Sequence, residues 1–190
     1  MLTTFNKAAN RVAMHAVRRS LVEEQARVTG LPLKAFDLPW PCSNEQYRQI
    51  MAGAFQLAIN EGVECIAFGD LFLEDVRAYR EEQLKLSGLQ PLFPIWGTPT
   101  NQLAARMTES GLRAKITCVD PGKLDHGFAG RDWHDAKQSF PAEVDPCGER
   151  GEFHTFAYAG PMFSKTLKVE AGEIVKRDGF VFADVMMSGR

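Results

Sequence analysis

The stretch from Asp145 to Phe156, DPCGERGEFHTF, gathers carboxylates, a histidine and a thiol around two glycines. Paired carboxylates such as Glu149 and Glu152 can hold a cation or a metal, or act as a general base. Gly148 and Gly151 permit unusual backbone dihedrals or a close approach of a ligand to the main chain. The same stretch is also compatible with a hairpin that carries polar side chains, so its surroundings must decide.

Other side chains of this stretch carry weaker signals. A lone histidine in a strand, such as His154, is more often structural than functional, and Thr155 adds a hydroxyl. A nucleophilic Cys147 would need a depressed pKa, and an unreactive thiol is the more common case. The chain has four cysteines and four histidines, and none shows the short paired spacing of a zinc site. Cys65 and Cys118 lie in apolar runs, so we expect both in the core.

A second set of candidate site residues consists of aspartates that directly follow apolar segments. Asp37, Asp70 and Asp120 each follow such a segment. Ligands gather at the carboxyl ends of the strands in an open parallel sheet, and aspartates at that edge suit a magnesium–nucleotide site. Aspartate after a strand is also a common helix cap. We prefer the cap for Asp37, and for Asp70 both interpretations stand.

The elements that must position these residues alternate between helix and strand. SNEQYRQIMAGAFQLAINEG opens with a capping box of Ser43 and Gln46,. VECIAFG and AKITCV are almost wholly apolar, which is typical of strands covered on both faces. This order predicts an α/β fold with a mostly parallel sheet over residues 1–120. Four glycines stand where each helix should end: Gly30, Gly62, Gly88 and Gly111,.

The pattern changes near Asp120, where PGKLDHGFAGRDWHD is typical of a loop. Two alternating runs then flank Asp178 and Gly179, a turn signal between strands. We therefore expect a small α+β domain over residues 121–190.

Composition limits the partners. The net charge of −2 makes no electrostatic case for nucleic acid or an anionic membrane. No apolar run approaches the roughly 20 residues of a membrane span. The cysteine usage favours a reducing, cytoplasmic location. The common phosphate-loop, dinucleotide, zinc-protease and nucleophile-elbow motifs are absent from the sequence.

Four segments together resemble the diphthine–ammonia ligase family, also described as adenine-nucleotide α-hydrolase-like or N-type ATP pyrophosphatases. They are GDLFLEDVRAYREEQL, PLFPIWG, CVDPGKLDHGFAGRDW and DPCGERGEFHTFAYAGPMF. The resemblance, closest to a bacterial-type member, runs from about Leu2 to Asp184. It implies a Rossmann-like (HUP-type) sheet, ATP and Mg²⁺ as cofactors, adenylation of a carboxylate, and displacement of AMP by ammonia. The carboxylate is diphthine on an elongation factor in eukaryotes and archaea, and here a small-molecule or protein-borne acid is expected.

The resemblance also implies roles for particular residues. Asp70 would contact magnesium or phosphate and, with Glu149 and Glu152, form the catalytic group. Arg77 and Glu81 match a family pair, although their spacing also permits an ordinary surface ion pair. Nucleotide contacts would come from Thr3, Thr4, Gly69 and Asp70. Substrate contacts would come from Arg77, Glu81, Trp96, Gly148, Glu149, Gly151, Glu152, His154 and Thr155. Trp96 could equally be a core side chain.

One expected family feature is missing from the sequence. The family carries a Ser-Gly-Gly-x-Asp-Ser phosphate loop after its first strand, and this chain opens with LTTFN, which matches the second strand. In the resembling fold the first strand lies between the second and fourth, so its loss would leave two parallel edges and an apolar gap. A late start codon, a truncated gene, or a tolerated loss with the gap closed or filled all stay open.

Two functions therefore compete at this stage. The first is an ATP-dependent amide ligase, with low activity expected for this chain because the phosphate loop is missing. A homodimer is one expected form of this ligase. The second is a non-catalytic homologue that binds a nucleotide or metabolite, and a degenerate remnant without a ligand is a third outcome. Many relatives carry an acidic residue where this chain has Ala159, so its substrate specificity could differ.

Overall fold

The computed structural model describes residues 1–13 and 15–189 and shows a mixed α/β protein. Its helices are α1 (Arg19–Thr29), α2 (Asn44–Asn60), α3 (Glu74–Leu84), α4 (Thr100–Glu109) and α5 (Trp133–Ala136). Its strands are β1 (Leu2–Asn6), β2 (Arg11–Val12), β3 (Lys34–Leu38), β4 (Cys65–Ala67), β5 (Gln90–Leu92), β6 (Arg113–Val119), β7 (Phe153–Ala159), β8 (Val169–Arg177) and β9 (Phe180–Met187). Among the described residues, no helix has both the length and the apolarity to cross a membrane.

Local signals place the helix ends where the sequence predicts them. At the start of α2 the Ser43 hydroxyl accepts a hydrogen bond from the Gln46 backbone N–H at 3.2 Å. The Gln46 side chain in turn accepts from the Ser43 N–H at 3.0 Å, which completes the predicted capping box,. Gly30 ends α1 with φ of 69°, a left-handed conformation that glycine adopts without steric cost,. The alternation of helix, glycine and strand is therefore confirmed for the first half of the chain.

The strands form three small sheets rather than the one mostly parallel sheet that the sequence predicts. β1 pairs in parallel with β3, and the two-residue β2 adds to β1 in the antiparallel direction. β4 pairs in parallel with β5 as a separate sheet. The remaining strands form an antiparallel sheet in the order β7-β6-β9-β8. The predicted parallel pairing is thus confirmed for β1 with β3 and for β4 with β5. In the described structure these two pairs do not join into one sheet.

The sequence predicted that AKITCV is a strand of the mostly parallel sheet, and this prediction was wrong. This segment is β6, and it pairs in the antiparallel direction with β7 and β9. Its sheet therefore crosses the domain boundary expected at residue 120. The apolar run reflects burial of a central strand, and it does not distinguish parallel from antiparallel neighbours.

VECIAFG was also expected to be covered on both faces, and one face of the resulting strand is open. Cys65 and Ala67 of β4 are exposed, and only Ile66 between them is partly buried. Cys65 is therefore not a core residue, whereas Cys118 is fully buried as predicted. Successive strand residues point to opposite faces, so Cys65 and Ala67 share the face of β4 that is open to solvent,.

Three apolar clusters connect the described elements, and one of them contains Trp133 and Phe153 beside the candidate site. Phe5 of β1 and Leu21 of α1 pack with Phe156 of β7 and Val185 of β9, which joins the first parallel pair to the antiparallel sheet. A third cluster, built from Met51, Phe55, Leu84 and Leu89, holds α2 and α3 beside β4 and β5.

An ion cluster reinforces the first of these junctions. Arg11 and Arg18 bind Asp184 of β9, at 2.8 Å and 2.5 Å respectively. Burial by itself would raise the pKa of the Asp184 carboxyl, but hydrogen bonds from Arg18 and Arg11 outweigh it and hold that pKa at about 2,.

Candidate functional site

A cavity of about 210 Å³ lies where the end of β4 meets α4 and β7. Gly69, Glu149 and Thr155, all predicted site residues, line this cavity together with Cys147. The rest of its wall is mainly apolar, and includes Leu71, Ile95, Leu103, Trp133 and Phe153. The fold thus brings one part of the DPCGERGEFHTF stretch against the loop that follows β4.

Glu149 fastens these two segments to each other. Its Oε1 atom accepts a hydrogen bond from the Leu71 backbone N–H at 2.7 Å. Burial is the main cause that raises the pKa of the Glu149 carboxyl, and the nearby charges of Asp70 and Asp145 act in the same direction. Backbone hydrogen bonds from Leu71 and Phe72 oppose this rise without cancelling it,. Glu149 is therefore a partly buried carboxyl with increased proton affinity at the cavity wall.

Asp70 lies beside Arg80 at the end of the same loop. Arg80 Nε and Asp70 Oδ2 are 3.6 Å apart, and the two side chains are partly buried, at 31% and 18% exposed. Within residues 1–13 and 15–189, neither of these two buried atoms has a hydrogen-bond partner. Buried polar atoms are normally paired, so this pair has capacity for a polar or charged ligand.

The surroundings of Asp70 bear on the predicted magnesium ion. In the part of the chain that the structure describes, no group of three or more potential His, Cys, Asp or Glu ligands comes together. A metal held by protein atoms alone is therefore not supported. Mg²⁺ commonly takes one or two carboxylates and completes its shell with phosphate and water oxygens. Asp70 would supply one such carboxylate, and its Oδ2 faces Arg80 Nε at 3.6 Å in this structure.

Arg77, Glu81 and Trp96 form one cluster near the ends of β4 and β5. Arg77 Nε lies 2.8 Å from Glu81 Oε1, so the predicted ion pair is present. The Arg77 guanidinium also lies 4.8 Å from the ring centre of Trp96 and 4.9 Å from that of Phe93. The arginine is thus held by a carboxylate and two aromatic faces.

This cluster connects to Asp70 through residues that the sequence did not single out. Phe93 stacks on Phe68 at 5.6 Å between ring centres, and the Arg80 guanidinium lies 5.2 Å from the Phe68 ring. Arg80 in turn faces Asp70. Arg80 lies in the quoted segment GDLFLEDVRAYREEQL, one helical turn after Arg77, and that spacing was the available signal,.

Glu152 has a different position from the one predicted. Its side chain is 3% exposed, and it is not part of the cavity wall described above. Its Oε1 accepts from the Asp145 N–H at 2.9 Å, and its Oε2 accepts from the Arg150 N–H at 3.0 Å. Both oxygens are therefore used to close the loop between these residues. The geometry gives Glu152 a loop-stabilising role, and its catalytic role stays a prediction.

The two glycines of the stretch have separate reasons for being glycine. Both adopt positive φ, of 71° at Gly148 and 76° at Gly151. At Gly148 an added Cβ would also lie 2.8 Å from the Phe153 carbonyl oxygen. At Gly151 the nearest atom would be 3.7 Å away. Close packing therefore requires glycine only at position 148. The group that approaches Gly148 is Phe153 of the protein itself, and it is not a ligand.

His154 and Thr155 point to opposite sides of β7, as successive strand residues do. Thr155 lines the cavity. The His154 ring instead packs against His15, with 4.4 Å between ring centres. Burial, followed by the neighbouring His15, lowers the pKa of His154 to about 4. The prediction that His154 contacts the same ligand as Thr155 is therefore not supported by this arrangement.

Thr3 and Thr4 lie within β1, opposite Ala35 and Phe36 of β3. They belong to the other parallel pair, and no hydrogen bond among the described residues links them to the cavity. Cys147 is at the cavity, where its thiol donates to the Thr100 carbonyl at 3.4 Å. Burial raises its pKa to about 12, so the thiol is protonated and a poor nucleophile,.

A family-model comparison and a comparison with individual proteins both identify the family that the sequence resembles. Residues 99–186 match the family model of the diphthamide synthase C-terminal domain. The chain is 26% identical over 180 residues to the diphthine–ammonia ligase of Homo sapiens, which covers 92% of this chain and 67% of that protein. It is 31% identical over 131 residues to the Bos taurus protein of the same name, which covers 66% and 49%. The chain thus spans about half to two thirds of these relatives.

Proposed function

This chain belongs to the diphthine–ammonia ligase family, and from that premise we propose that it is an ATP-dependent ligase that joins ammonia to a carboxylate. The names of the relatives specify diphthine and ammonia. For this chain we propose an acid of the same chemical kind, either small or carried on a protein. The observation that carries the proposal is the Asp70–Arg80 ion pair, whose two facing atoms make no hydrogen bond, beside the loop residues Gly69 and Leu71 that line the cavity with Glu149.

The fold supports this proposal through its two parallel units. β1 with β3 and β4 with β5 each join strands that run in the same direction, with α1 and α3 in the connections. Units of this kind make up Rossmann-like (HUP-type) sheets, whose ligands lie beyond the carboxyl ends of the strands. Gly69 and Asp70 follow β4 at such an end, so we assign the nucleotide phosphates to this edge. Thr3 and Thr4 remain proposed contacts on the adenine side.

Asp70 and Arg80 have complementary parts in this proposal. ATP supplies the activated phosphate that turns a carboxylate into a good acyl donor, and Asp70 would hold its magnesium ion through its carboxylate. Arg80 faces Asp70 without a hydrogen bond to it, and its guanidinium can stabilise negative charge on a phosphate,. A partly buried position strengthens both electrostatic contacts because less water screens them.

Glu149 would act on the nitrogen donor. Its raised pKa increases its affinity for a proton, as a general base for ammonium requires,. The hydrogen bond from Leu71 fixes one carboxylate oxygen and therefore the orientation of the group. Arg77, with Trp96 beside it, is the cation that we assign to the negative charge of the substrate.

The decisive experiment compares Asp70→Asn with Asp75→Asn. Both changes remove one carboxylate, but Asp75 is exposed in the first turn of α3. Wild-type protein would be incubated with MgATP, ammonium chloride and a diphthine-bearing elongation factor, and pyrophosphate and AMP measured. We expect Asp70→Asn to lower turnover by about 100-fold or more, because one charge-stabilising contact is worth a few kcal/mol. Asp75→Asn should retain wild-type turnover.

Equal turnover of Asp70→Asn and wild type would contradict the assignment of Asp70. The expected low activity of the 190-residue chain remains a prediction, and the wild-type arm of the same assay measures it.

A non-catalytic binding protein is the second candidate, and one observation favours it. Glu152 uses both carboxylate oxygens, and Glu149 one of its two, to hold backbone N–H groups. Carboxylates engaged in this way can maintain a pocket without taking part in chemistry. Calorimetric binding of MgATP without AMP formation in the assay above would select this function.

A further inference from the structure

Another pocket, of about 560 Å³, opens beyond the ends of β1 and β3 and beside the turn between β8 and β9. Its lining includes Asn6 at the end of β1, Trp40 after β3, and Phe180 and Phe182 of β9. Its volume lies within the range of about 300–1,000 Å³ that is usual for small-molecule sites. The pocket shares no lining residue with the cavity beside Glu149.

This pocket and the Glu149 cavity lie on opposite faces of the antiparallel sheet. Phe182 of β9 lies opposite Cys118 of β6, which in turn lies opposite His154 of β7. Side chains opposite each other share a face of the sheet, and successive residues of a strand alternate between faces. Phe182 therefore lies on the face of His154, whereas Thr155, which lines the Glu149 cavity, lies on the other. A ligand held by Phe182 would thus occupy a site separate from that cavity.

Exposed aromatic rings form part of the pocket wall. Trp40 is 66% exposed, more than any other aromatic side chain in residues 1–13 and 15–189. Phe180 and Phe182 lie beside each other, with 6.3 Å between their ring centres. Single exposed apolar residues are ordinary, but a group of rings around one pocket offers flat apolar contacts to a ligand. The wall is therefore suited to an aromatic molecule.

Arg177 supplies a positive charge at the same pocket. Its guanidinium lies 4.8 Å from the ring centre of Phe182, and its side chain is 55% exposed. Its ion-pair partner among the described residues is the exposed carboxylate of Asp178, at 3.5 Å. An ion pair so open to water is weak, so an anion held in the pocket can compete for the guanidinium. Arg177 therefore favours an anion next to the aromatic wall.

Hydrogen bonds fix another part of the wall. The side-chain oxygen of Asn6 accepts from two backbone N–H groups of the turn that follows β1, each at 3.0 Å. Arg11, which also lines the pocket, donates to the Ala16 carbonyl and to the Asp184 carboxylate, both at 2.8 Å. The charge of Arg11 is therefore already compensated, and we do not assign it to a ligand. A wall that is ordered before binding lowers the entropy cost of holding a ligand.

The backbone around this pocket is strained. Asn10, Ala16 and Asp178 are the non-glycine residues of the described chain that have positive φ, at 52°, 53° and 52°. Ala16 and Asp178 line the pocket, and Asn10 precedes Arg11. Such conformations cost free energy and persist where the surrounding structure holds them, often at ligand-binding sites. The strained positions of the described chain thus lie at or next to one pocket.

We propose that this pocket binds a small aromatic acid. The negative group of the acid would pair with Arg177, and its ring would lie against Trp40 and the two phenylalanines of β9. The site goes beyond the ligase reaction proposed above, because it lies on the other face of the antiparallel sheet from the Glu149 cavity. Binding there requires neither ATP nor ammonia.

The charge of the lining decides for a small monoanion over other occupants. A polyphosphate or a nucleic acid strand needs several cations, but Arg11 is already bound to Asp184 and Arg177 is the cation that an anion can reach,. An uncharged ligand would cover Arg177 without giving it a new partner, and covering a charge in this way is unfavourable. An aromatic monoanion satisfies both the arginine and the rings.

The probe is anilinonaphthalene sulfonate, a fluorescent aromatic anion, titrated into the 190-residue protein without ATP. Trp40→Ala should weaken binding of the probe by about tenfold, because the largest ring of the wall is lost. Arg177→Gln should also weaken it by about tenfold, because the sulfonate loses its ion pair. Two control variants remove similar side chains elsewhere: Leu86→Ala an exposed apolar one, and Arg48→Gln an exposed arginine of α2. Neither residue lines the pocket, so both variants should bind the probe as the wild type does.

Competition on wild-type protein tests the chemistry of the ligand and does not depend on the folding of any variant. Indole acetate and indole acetamide carry the same ring, but only the first is charged. Indole acetate should displace the probe at a concentration about tenfold lower than indole acetamide, because only the acid pairs with Arg177. MgATP should leave the probe bound.

Three outcomes would each overturn the proposal: Trp40→Ala and Arg177→Gln, shown to be folded by circular dichroism, bind the probe like wild type; the acid and the amide displace it equally; or MgATP displaces it. The last result would assign the pocket to the nucleotide of the proposed reaction. None of these measurements depends on turnover, so a failure here is distinct from a failure of the proposed ligase activity.

Discussion

Individual side chains in the GERGEFHT segment have unlike roles although they are close in sequence. Glu149 reaches the loop after β4, Glu152 closes its own loop, and His154 turns to the other face of β7. Such a division follows from the strand period of two and from which backbone N–H groups lie unpaired nearby. Neither factor can be obtained from residue types alone.

His154 gives a prediction at this scale. Burial lowers its pKa from 6.5 to about 4, so the folded state resists the protonation that the unfolded chain accepts. The neutral His154 side chain therefore makes its full contribution to the free energy of unfolding above pH 6.5. That free energy falls as pH decreases from about 6.5 towards 4. In urea titrations, His154→Phe should remove on the order of 2 kcal/mol of this decrease, allowing for partial exposure. An unchanged slope of stability against pH would show that this histidine pair does not couple to folding.

At the scale of elements, the helices follow local chemistry closely. The Ser43 capping box and the left-handed glycine after α1 both form as predicted, because their partners lie within four residues. Strand prediction depended on distant partners and was less successful. β6 has the apolar run expected of a parallel strand, yet its neighbours are antiparallel.

The loop before β7 gives a second prediction, from two glycines with nearly the same φ. Gly151→Ala meets only the cost of positive φ, about 1 kcal/mol. Gly148→Ala adds a contact of 2.8 Å with the Phe153 carbonyl, so we expect a loss of about 3 kcal/mol or more. Thermal unfolding of both variants measures the difference. Equal losses would mean that the loop relaxes around the new methyl group.

At the scale of the whole molecule, ion pairs and a shared core join the first parallel unit to the antiparallel sheet. Asp184 of β9 binds Arg11 and Arg18, whose sequence separation from it exceeds 160 residues. At the cleft lined by β1, β3 and β4, the ion pair is Lys34 with Glu61, and its side chains are 43% and 42% exposed, so water screens it more than the pairs at Asp184,. The junction at Asp184 should therefore resist separation more than the cleft does.

Asp184→Asn tests the contribution of this junction. The pKa of the carboxyl is lowered from 3.8 to about 2. Its contribution is therefore complete above pH 3.8 and is lost as pH falls through about 2. We expect the variant to lose about 1 kcal/mol at pH 7 after screening by solvent, and almost nothing at pH 2. A loss that does not depend on pH would assign the effect to packing and exclude the ion pairs as its cause.

The sequence by itself determined the helices, the glycines that follow them and the resemblance to the ligase family that the comparisons support. These features depend on local backbone chemistry or on motifs that survive as strings of residues. Only the tertiary structure decided which strands share a sheet and which backbone N–H groups the oxygens of Glu149 and Glu152 accept from. Those outcomes depend on hydrogen bonds between residues far apart in the chain, and many pairings are compatible with the same apolar pattern.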